Sequence, residues 1–237
     1  VRKSMAGAME MIPADKIPVL KNKYNFHNRY EKLKGILRDP SPEKIMQSLS
    51  MQFEPEKLKE LMLQEFDLLE TAYASKELKS EFHTPLAYMM AIDYTTYMVD
   101  DILQKVDRAT MTASLEGREP FMDHRVIEFA AQLPDDYKYH NGIKKYILRE
   151  VVHRHVPKEM MDRPKMGFAI PIADWLRTEL RDLLETYLSE ERIKKEGFFN
   201  WEYVLKLKTQ FLLGKKEYDL KIWYLLMFEM WMEKWGE

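Results

Sequence analysis

Apolar residues recur at intervals of three and four along most of this chain, and alternation with a period of two is almost absent. The first spacing places apolar side chains on one face of an α-helix, whereas the second would indicate a strand. The segment 84–115 keeps the helical spacing, which predicts one long helix or two consecutive helices that bury a face and form the spine of the fold. Further helices are predicted near residues 123–132, 143–155, 173–188, 200–213 and 218–235. The predicted fold class is therefore all-α.

The segment 218–235 differs from the other predicted helices because it is apolar nearly all round. Its apolar residues include Trp223, Tyr224, Leu226, Met227, Met230 and Trp231. A helix without a polar face must be enclosed by its neighbours. We therefore predict that this helix lies at the centre of the fold.

Composition limits the classes of partner. The 237 residues include 39 acidic and 37 basic side chains, so no overall charge attracts nucleic acid or an anionic membrane. The longest strongly apolar run, at 222–228, is far shorter than the roughly 20 residues of a membrane span. The absence of cysteine rules out disulfides, cysteine metal ligands and a thiol nucleophile, and it fits a reducing compartment. We expect a cytoplasmic protein without a nucleic-acid or membrane partner, and a homodimer is compatible with this composition.

Residues 15–40 form a locally basic stretch, with seven lysines and arginines against three acidic residues. Such a stretch can bind nucleic acid, or it can be a solvated or partner-facing segment. The second interpretation is favoured, because no recognition motif accompanies the charges.

The glycines and histidines bear on nucleotide and metal sites. The eight glycines are scattered, and no two lie close enough for a P-loop or a dinucleotide fingerprint. If the chain handles a nucleotide, most of that site must lie elsewhere. The six histidines lack the spacing typical of a metal site, so we predict no metal ligand.

The stretch LEGREPFMDHR, at 115–125, combines turn residues with charged ones. Gly117 suits a left-handed position after a helix, and Pro120 keeps the following backbone extended. Asp123 directly precedes an apolar-periodic run, so we interpret it as a helix N-cap rather than a catalytic carboxylate. A short constrained turn then carries three charged side chains, Glu116, Arg118 and Glu119.

Two further stretches are basic. In NGIKKYILRE, at 141–150, a helix that begins near Ile143 would place Lys144 and Lys145 in its first turn, where the helix dipole disfavours cations. Either a bound anion relieves this cost, or the lysine stems merely cover apolar surface, and the residues alone favour the second. On a helical wheel Lys144 points toward the apolar stripe and Lys145 flanks it. In DRPKMGFAIP, at 162–171, two cations flank a proline.

Together and in this order, these stretches resemble the C-terminal part of the synthetase domain of the glutamine-dependent asparagine synthetase family. The matching run is ILQKVDRATMTASLEGREPFMDHRVIEFAAQLP, then NGIKKYILRE, then VPKEMMDRPKMGFAIPIADWL, and it spans residues 102–176. Several separate motifs agree in order, which makes the resemblance more specific than any one motif. The sequence departs from the family at Glu119, where a small apolar residue is usual before the Pro-Phe pair.

The resemblance implies a fold and an activity. Enzymes of this family use Mg-ATP to convert the side-chain carboxylate of aspartate into an acyl adenylate, which ammonia from a glutaminase domain then attacks. The N-terminal cysteine of the glutaminase, the Ser-Gly-Gly-x-Asp-Ser pyrophosphate loop and the acidic Gly-Asp-Gly-x-Asp-Glu segment are not found in this sequence. We therefore expect a fragment, the helical portion of an adenine-nucleotide α-hydrolase-like synthetase domain without its parallel sheet.

The same resemblance implies a domain division and two alternatives. Residues 1–40 would be a basic N-terminal segment that continues from an upstream nucleotide-binding part, and 41–237 the helical C-terminal domain. One alternative is a helical interaction module that has lost catalysis. The other is an amidotransferase for a different acid, such as a β-lactam synthetase or a sugar-acid amidotransferase, and the departure at Glu119 leaves this open.

The site residues are implied by position in the family motifs. Lys145 matches the lysine of the Gly-x-x-Lys-x-x-Leu-Arg pattern and would stabilise negative charge near the α-phosphate, so the resemblance selects it over Lys144. Arg118 is the second predicted catalytic residue. Glu116, which precedes it in the Glu-x-Arg pattern, would shape the pocket or hold the turn by an ion pair. The remaining predicted substrate- or nucleotide-binding residues are Asp107, Arg108, Arg163 and Lys165.

The pyrophosphate loop and the acidic segment are not found in this sequence, and this leads to a prediction for the 237-residue chain by itself. It should fold as a helical unit, yet neither bind Mg-ATP tightly nor release pyrophosphate, because glycine-rich loops and acidic metal ligands provide most of such affinity. Isothermal titration calorimetry checks this, and micromolar affinity for Mg-ATP would contradict it.

Overall fold

The computed structural model describes residues 2–12, 17, 26–67, 69–162 and 170–236, with the side chains of residues 27 and 28 left out. The chain divides into two compact units. Unit 1 combines Val1–Leu69 with Ala169–Glu237, and unit 2 is Glu70–Phe168. Unit 1 is therefore built from both ends of the chain.

Helices make up most of the described chain. The first eight are α1 (Arg2–Met11), α2 (Phe26–Arg38), α3 (Pro42–Ser50), α4 (Pro55–Leu61), α5 (Lys76–Glu81), α6 (Pro85–Thr95), α7 (Gln104–Met111) and α8 (His124–Gln132). They are followed by α9 (Asp135–Lys138), α10 (Tyr146–Val152), α11 (Lys158–Met161), α12 (Ile172–Arg177), α13 (Arg181–Tyr187), α14 (Glu190–Glu196), α15 (Trp201–Leu212) and α16 (Asp219–Trp235). Short 3₁₀ turns cover Ala72–Ala74, Pro120–Met122 and Lys216–Tyr218, and a π-helical turn covers Met98–Leu103. The named strands of the described ranges are β1 (Tyr139–His140) and β2 (Ile143–Lys144), which pair antiparallel, so the all-α prediction is confirmed.

Several predicted helices coincide with observed ones. The segments 123–132, 200–213 and 218–235 correspond to α8, α15 and α16. The segment 173–188 instead forms two helices, α12 and α13, because Thr178 leaves the helical backbone conformation with φ −123° and ψ −96°. Apolar periodicity continues across such a break, so periodicity alone does not reveal it.

The core of unit 1 surrounds α16. Ile222, Leu225 and Leu226 are buried on this helix, and they belong to one apolar cluster with residues of α12 to α15. The buried partners include Leu176, Leu184, Ile193, Val204 and Phe211. The predicted central position of this helix is confirmed. Within the described ranges each helix is too short or too polar to cross a lipid bilayer.

The helix α15 shows how the sequence specifies a core helix. Asn200 caps it, because its side-chain oxygen accepts hydrogen bonds from the backbone N–H groups of Glu202 at 3.0 Å and Tyr203 at 3.4 Å. Its buried face carries Val204, Leu207 and Phe211, at the three- and four-residue intervals of an amphipathic helix.

The spine predicted at 84–115 is wrong. The segment is helical through α6, the π-helical turn and α7, but only Tyr88 and Ile92 are buried there. Exposed apolar residues of the same segment are Met90, Tyr94, Tyr97, Val99, Ile102, Met111 and Leu115. Periodicity identifies the apolar face of a helix, but it does not specify whether another element covers that face.

A cluster of charges joins α14 to α16 inside unit 1. The guanidinium of Arg192 lies 3.1 Å from an oxygen of Glu229 and 3.0 Å from one of Glu196. It also donates to the backbone oxygen of Glu229 at 3.0 Å and contacts Glu233 at 2.5 Å. The other carboxylate oxygens of Glu229 and Glu196 are buried, and no N–H or hydroxyl group of the described residues donates to them. Two carboxyl groups therefore share one cation in a buried place.

Burial raises the pKa of Glu229 to about 8, and a hydrogen bond with Glu196 further favours the protonated form. Arg192 opposes this shift but does not cancel it. A proton on Glu229 gives the pair a donor, so two buried acceptors no longer face each other unpaired.

The raised pKa predicts a pH-dependent stability. Since the ordinary pKa is 4.5 and the folded value is about 8, unfolding releases a proton between these values, and stability falls as pH rises from about 4.5 to about 8. The variant Glu229→Gln keeps a neutral donor at every pH. Its melting temperature should match the wild type near pH 5 and exceed it by several degrees above pH 8, since 1 kcal/mol corresponds to roughly 2–4 °C in a chain of this size.

A matched control is Glu233→Gln on the same arginine. Hydrogen bonds from Arg192 and Tyr187 lower the pKa of Glu233, so the charged form stabilises the fold above the ordinary pKa. This variant should therefore lose stability at neutral pH, which is opposite in sign to the effect expected for Glu229→Gln. Parallel curves of melting temperature against pH for wild type and Glu229→Gln would show that Glu229 is charged in the folded protein.

Candidate functional site

The pair Asp107 and Arg108, predicted to bind substrate or nucleotide, lies on α7. An Arg108 nitrogen donates to the Asp107 carboxylate at 2.7 Å, and both side chains are largely exposed. Neighbouring residues on a helix diverge in direction, so this contact depends on the reach of the arginine. The two charges therefore partly neutralise each other at the surface of the helix.

The turn after α7 contains a left-handed residue, but it is not the predicted one. Ser114 has φ +57°, whereas Gly117 is absent from the positive-φ positions, so that prediction is wrong. The helix ends at Met111, and the backbone N–H of Leu115 closes the turn by donating to Thr110 at 3.0 Å. The reason for the error is that the helix ends several residues earlier than the sequence suggested.

Gly117 has a different structural role. A β-carbon at this position would lie 3.0 Å from a carboxylate oxygen of Glu119 and 3.6 Å from the side chain of Val106. The absence of a side chain therefore lets the turn pass close to α7 and to Glu119.

Glu116 and Arg118 form a two-pronged ion pair on this turn. Two nitrogens of Arg118 each donate to a different oxygen of Glu116, both at 3.1 Å. The side chains are 69% and 82% exposed, respectively, so the pair contributes little to stability and exchanges readily with water or an anion. The ion-pair interpretation of Glu116 thus describes this conformation, while the predicted catalytic role of Arg118 stays a prediction.

The predicted helix cap at Asp123 is confirmed. Its side chain accepts from the backbone N–H of Arg125 at 2.9 Å, at the start of α8. The Arg125 side chain donates to the same carboxylate at 3.0 and 2.6 Å. These hydrogen bonds lower the pKa of Asp123, with the Arg125 side chain as the largest cause. The carboxylate is thus occupied by its own helix.

The predicted helix start near Ile143 is wrong, because a hairpin precedes the helix. Residue Tyr139 pairs with Lys144, and His140 pairs with Ile143. Asn141 and Gly142 connect the strands with φ +46° and +85°, the sign that a type I′ turn requires at both positions. The Asn-Gly pair between strand-forming residues was a sequence signal for this hairpin.

Lys144 and Lys145 are consequently not in the first turn of a helix. Lys144 lies on β2 with its side chain exposed, so its predicted place near an apolar stripe is wrong. Lys145 is the N-cap of α10, with φ +56° and ψ +41°. A left-handed conformation costs an L-residue roughly 1–2 kcal/mol, and such strain persists only where the surroundings impose it.

The side chain of Lys145 is exposed. No ion pair or hydrogen bond to its ammonium group is found among the described residues, in contrast to the pairs at Arg108 and Arg118. Lys145 therefore offers an unneutralised cation on a constrained backbone, the chemistry that stabilises a developing negative charge.

A contact that sequence analysis did not predict ties α10 to the end of α11. Arg149, the last residue of the Gly-x-x-Lys-x-x-Leu-Arg pattern, contacts Asp162, and His153 lies 3.7 Å from the same carboxylate. The separation of these residues along the chain explains why local spacing gave no signal. Asp162 directly precedes the predicted site residues Arg163 and Lys165, which lie outside the described residues.

The structure thus brings the predicted residues together only in local pairs. In the described part of the chain no hydrogen bond or ion pair joins Lys145 to Arg118 or Glu116, and no group of three or more histidine or carboxylate side chains could hold a metal ion. These residues offer cations for an anionic substrate. They do not by themselves form a nucleotide or magnesium site.

Comparison with known proteins gives one consistent result. The family model for asparagine synthase matches residues 12–233. Asparagine synthetase [glutamine-hydrolyzing] 1 of Bacillus subtilis is 35% identical over 153 residues, which cover 65% of this chain and 24% of the relative. A putative asparagine synthetase of Mycobacterium bovis is 34% identical over 148 residues, 62% of this chain and 22% of the relative.

The similarity extends to animals. The mouse asparagine synthetase is 34% identical over 119 residues, 42% of this chain and 21% of the relative. The chain thus spans about a quarter of the length of these relatives or less. No solved structure matches it.

The cap at Asp123 yields a test of whether this carboxylate is only structural. Asp123→Asn keeps an oxygen acceptor for the Arg125 N–H and should leave the melting temperature nearly unchanged. Asp123→Ala removes the cap and the ion pair and should lower it by roughly 2–4 °C. Differential scanning calorimetry checks this order of melting temperatures for the wild type and the two variants. A stably folded Asp123→Asn that loses activity several hundredfold would instead identify a functional carboxylate.

Proposed function

Because this chain belongs to the asparagine synthase family, we propose that it supplies the helical part of an ATP-dependent ligase that forms an amide from a carboxylic acid and ammonia. The nucleotide-binding part, with its glycine-rich pyrophosphate loop, would be contributed by sequence outside these 237 residues, on the same or another polypeptide. We call the two together the assembled ligase. Residues 1–40 would continue from that part, and 41–237 would form the helical domain.

The proposed reaction has two steps. A carboxylate oxygen of the acid attacks the α-phosphorus of ATP and pyrophosphate leaves, which gives an acyl adenylate. Ammonia, released by a glutaminase domain, then attacks the acyl carbon, AMP leaves with the electron pair of the broken C–O bond, and the nitrogen loses a proton to water to give the amide. Each step gathers negative charge around the α-phosphate, so a fixed cation there lowers both barriers.

The proposed function depends mainly on Lys145. Its exposed ammonium has no salt-bridge partner among the described residues, and its backbone is held at φ +56° between β2 and α10. It also occupies the lysine position of the family pattern that ends at Arg149. An ammonium group without a described ion-pair partner, on a residue with a constrained backbone, suits a site where negative charge develops during the reaction.

The other predicted residues receive supporting roles in this proposal. Arg118 would exchange Glu116 for a carboxylate or phosphate of the substrate, since its present ion pair is exposed. Arg108 would exchange Asp107 in the same way, and Arg163 and Lys165 would add positive charge to the pocket. Mg²⁺ would accompany ATP and shield its phosphates, and its ligands would come from outside the described residues.

Aspartate is the acid that this proposal favours, because the relatives are named as asparagine synthetases. Glu119 supports a second candidate, an amidotransferase for another acid, since the family usually has a small apolar residue at this position. Pyrophosphate release with a panel of carboxylic acids distinguishes these. A cytoplasmic location and a homodimer stay predictions.

Removal of the Lys145 charge tests the central assignment. In the assembled ligase, Lys145→Ala should reduce kcat by about 10² or more with little change in KM, because the interaction is made mainly in the transition state. The measurement is pyrophosphate release with aspartate, Mg-ATP and ammonia. Stability should change little, since alanine adopts the left-handed conformation about as readily as lysine.

Lys144→Ala is the matched control, because Lys144 is adjacent, exposed and of equal charge. It should keep kcat close to the wild-type value. Wild-type activity in Lys145→Ala, or a larger loss in Lys144→Ala, would remove Lys145 from the proposed mechanism.

A further inference from the structure

The strained backbone at Lys145 requires a device that holds it. Three described non-glycine residues have positive φ, namely Ser114, Asn141 and Lys145. Asparagine tolerates this conformation, whereas lysine has no side-chain feature that favours it. The support must therefore come from the elements on either side of Lys145, β2 and α10.

One side-chain contact spans this junction. The rings of His140, on β1, and Tyr146, the first residue of α10, have centroids 4.9 Å apart and planes inclined by 35°. Both residues are half-buried. His140 pairs across the hairpin with Ile143, two residues before Lys145, and Tyr146 directly follows Lys145. The ring contact therefore joins the two ends of a short segment of chain that contains Lys145.

The hairpin holds His140 in turn. The side-chain amide of Asn141 lies 3.0 Å from a ring nitrogen of His140, and the Asn141–Gly142 turn sets the register of the two strands. On the other side, the backbone oxygen of Lys145 accepts from Arg149 at 3.0 Å, which starts α10. Both neighbours of Lys145 are thus fixed, and rotation of its backbone would separate the two rings.

We propose that His140 is a positioning residue for Lys145, acting through its ring contact with Tyr146 to hold the lysine in the left-handed conformation that aims its ammonium group. This inference rests on the proposed function of Lys145. Without the ring contact, the backbone of Lys145 would relax to an ordinary conformation and its ammonium would move. His140 itself touches no reacting atom.

The kinetic test uses the assembled ligase and pyrophosphate release. His140→Leu removes the ring at similar size and should lower kcat roughly tenfold or more with little change in KM, because a small displacement of a catalytic charge is costly. His140→Phe keeps a stacking ring and should restore kcat to within about threefold of wild type. Tyr146→Leu, which removes the other ring, should reproduce the loss and serves if His140→Leu does not fold.

A double variant of His140 and Lys145 separates an effect on the position of Lys145 from a loss of activity by any other route. In the Lys145→Ala background, His140→Leu should cause no further loss of kcat, since the charge that it positions is gone. An equal loss in both backgrounds, or wild-type kcat in His140→Leu, would overturn the positioning role. Wild-type kcat in Lys145→Ala alone would overturn the proposed function and this inference with it, so the two failures are distinguishable.

A second measurement needs no activity. Backbone NMR chemical shifts of Lys145 in the 237-residue chain should report a positive φ in wild type and His140→Phe, and a negative φ in His140→Leu. Retention of the positive φ in His140→Leu would show that the ring contact does not set the conformation, and it would overturn the inference whatever the kinetics.

Discussion

The contact between Arg192 and Glu229 is the constraint on which the core of unit 1 depends. The helix α16 is apolar on nearly every side, so its one buried carboxyl group cannot reach water. Burial of a carboxyl group without hydrogen-bond partners is costly even when the group is protonated. The helix α14 must therefore bring Arg192 and Glu196 to this point, and their position orients α14 on α16.

In unit 2, by contrast, three charged pairs join close sequence neighbours at the surface, whereas Arg149 and Asp162 lie 13 residues apart. Asp107 meets Arg108, Glu116 meets Arg118, and Asp123 meets Arg125. Exposed pairs of this kind add little stability and exchange easily with an anionic ligand. Arg108 and Arg118 are therefore available for binding, whereas Asp123 caps its own helix and the Arg192 cluster joins α14 to α16.

The family match says what kind of protein this chain is similar to, and the geometry says which of its charged side chains are exposed. The family match shows that the chain belongs to the asparagine synthase family, and the chain spans only about a quarter of the Bacillus subtilis relative. The described residues offer cations without a phosphate-binding loop or a metal cluster. An electrostatic contribution to a site completed elsewhere is the role consistent with both findings.

Local sequence determined most helices, the core position of α16, the cap at Asp123 and the family, because each depends on residues within a few turns or on a contiguous motif. It also contained the Asn141–Gly142 hairpin signal, which helical periodicity obscured. Only the tertiary structure decided that segment 84–115 is not the core, that Glu229 lies beside Arg192, and that Lys145 is left-handed next to the contacting rings of His140 and Tyr146. These outcomes depend on which surfaces meet in space, and periodicity specifies the face of a helix without specifying its partner.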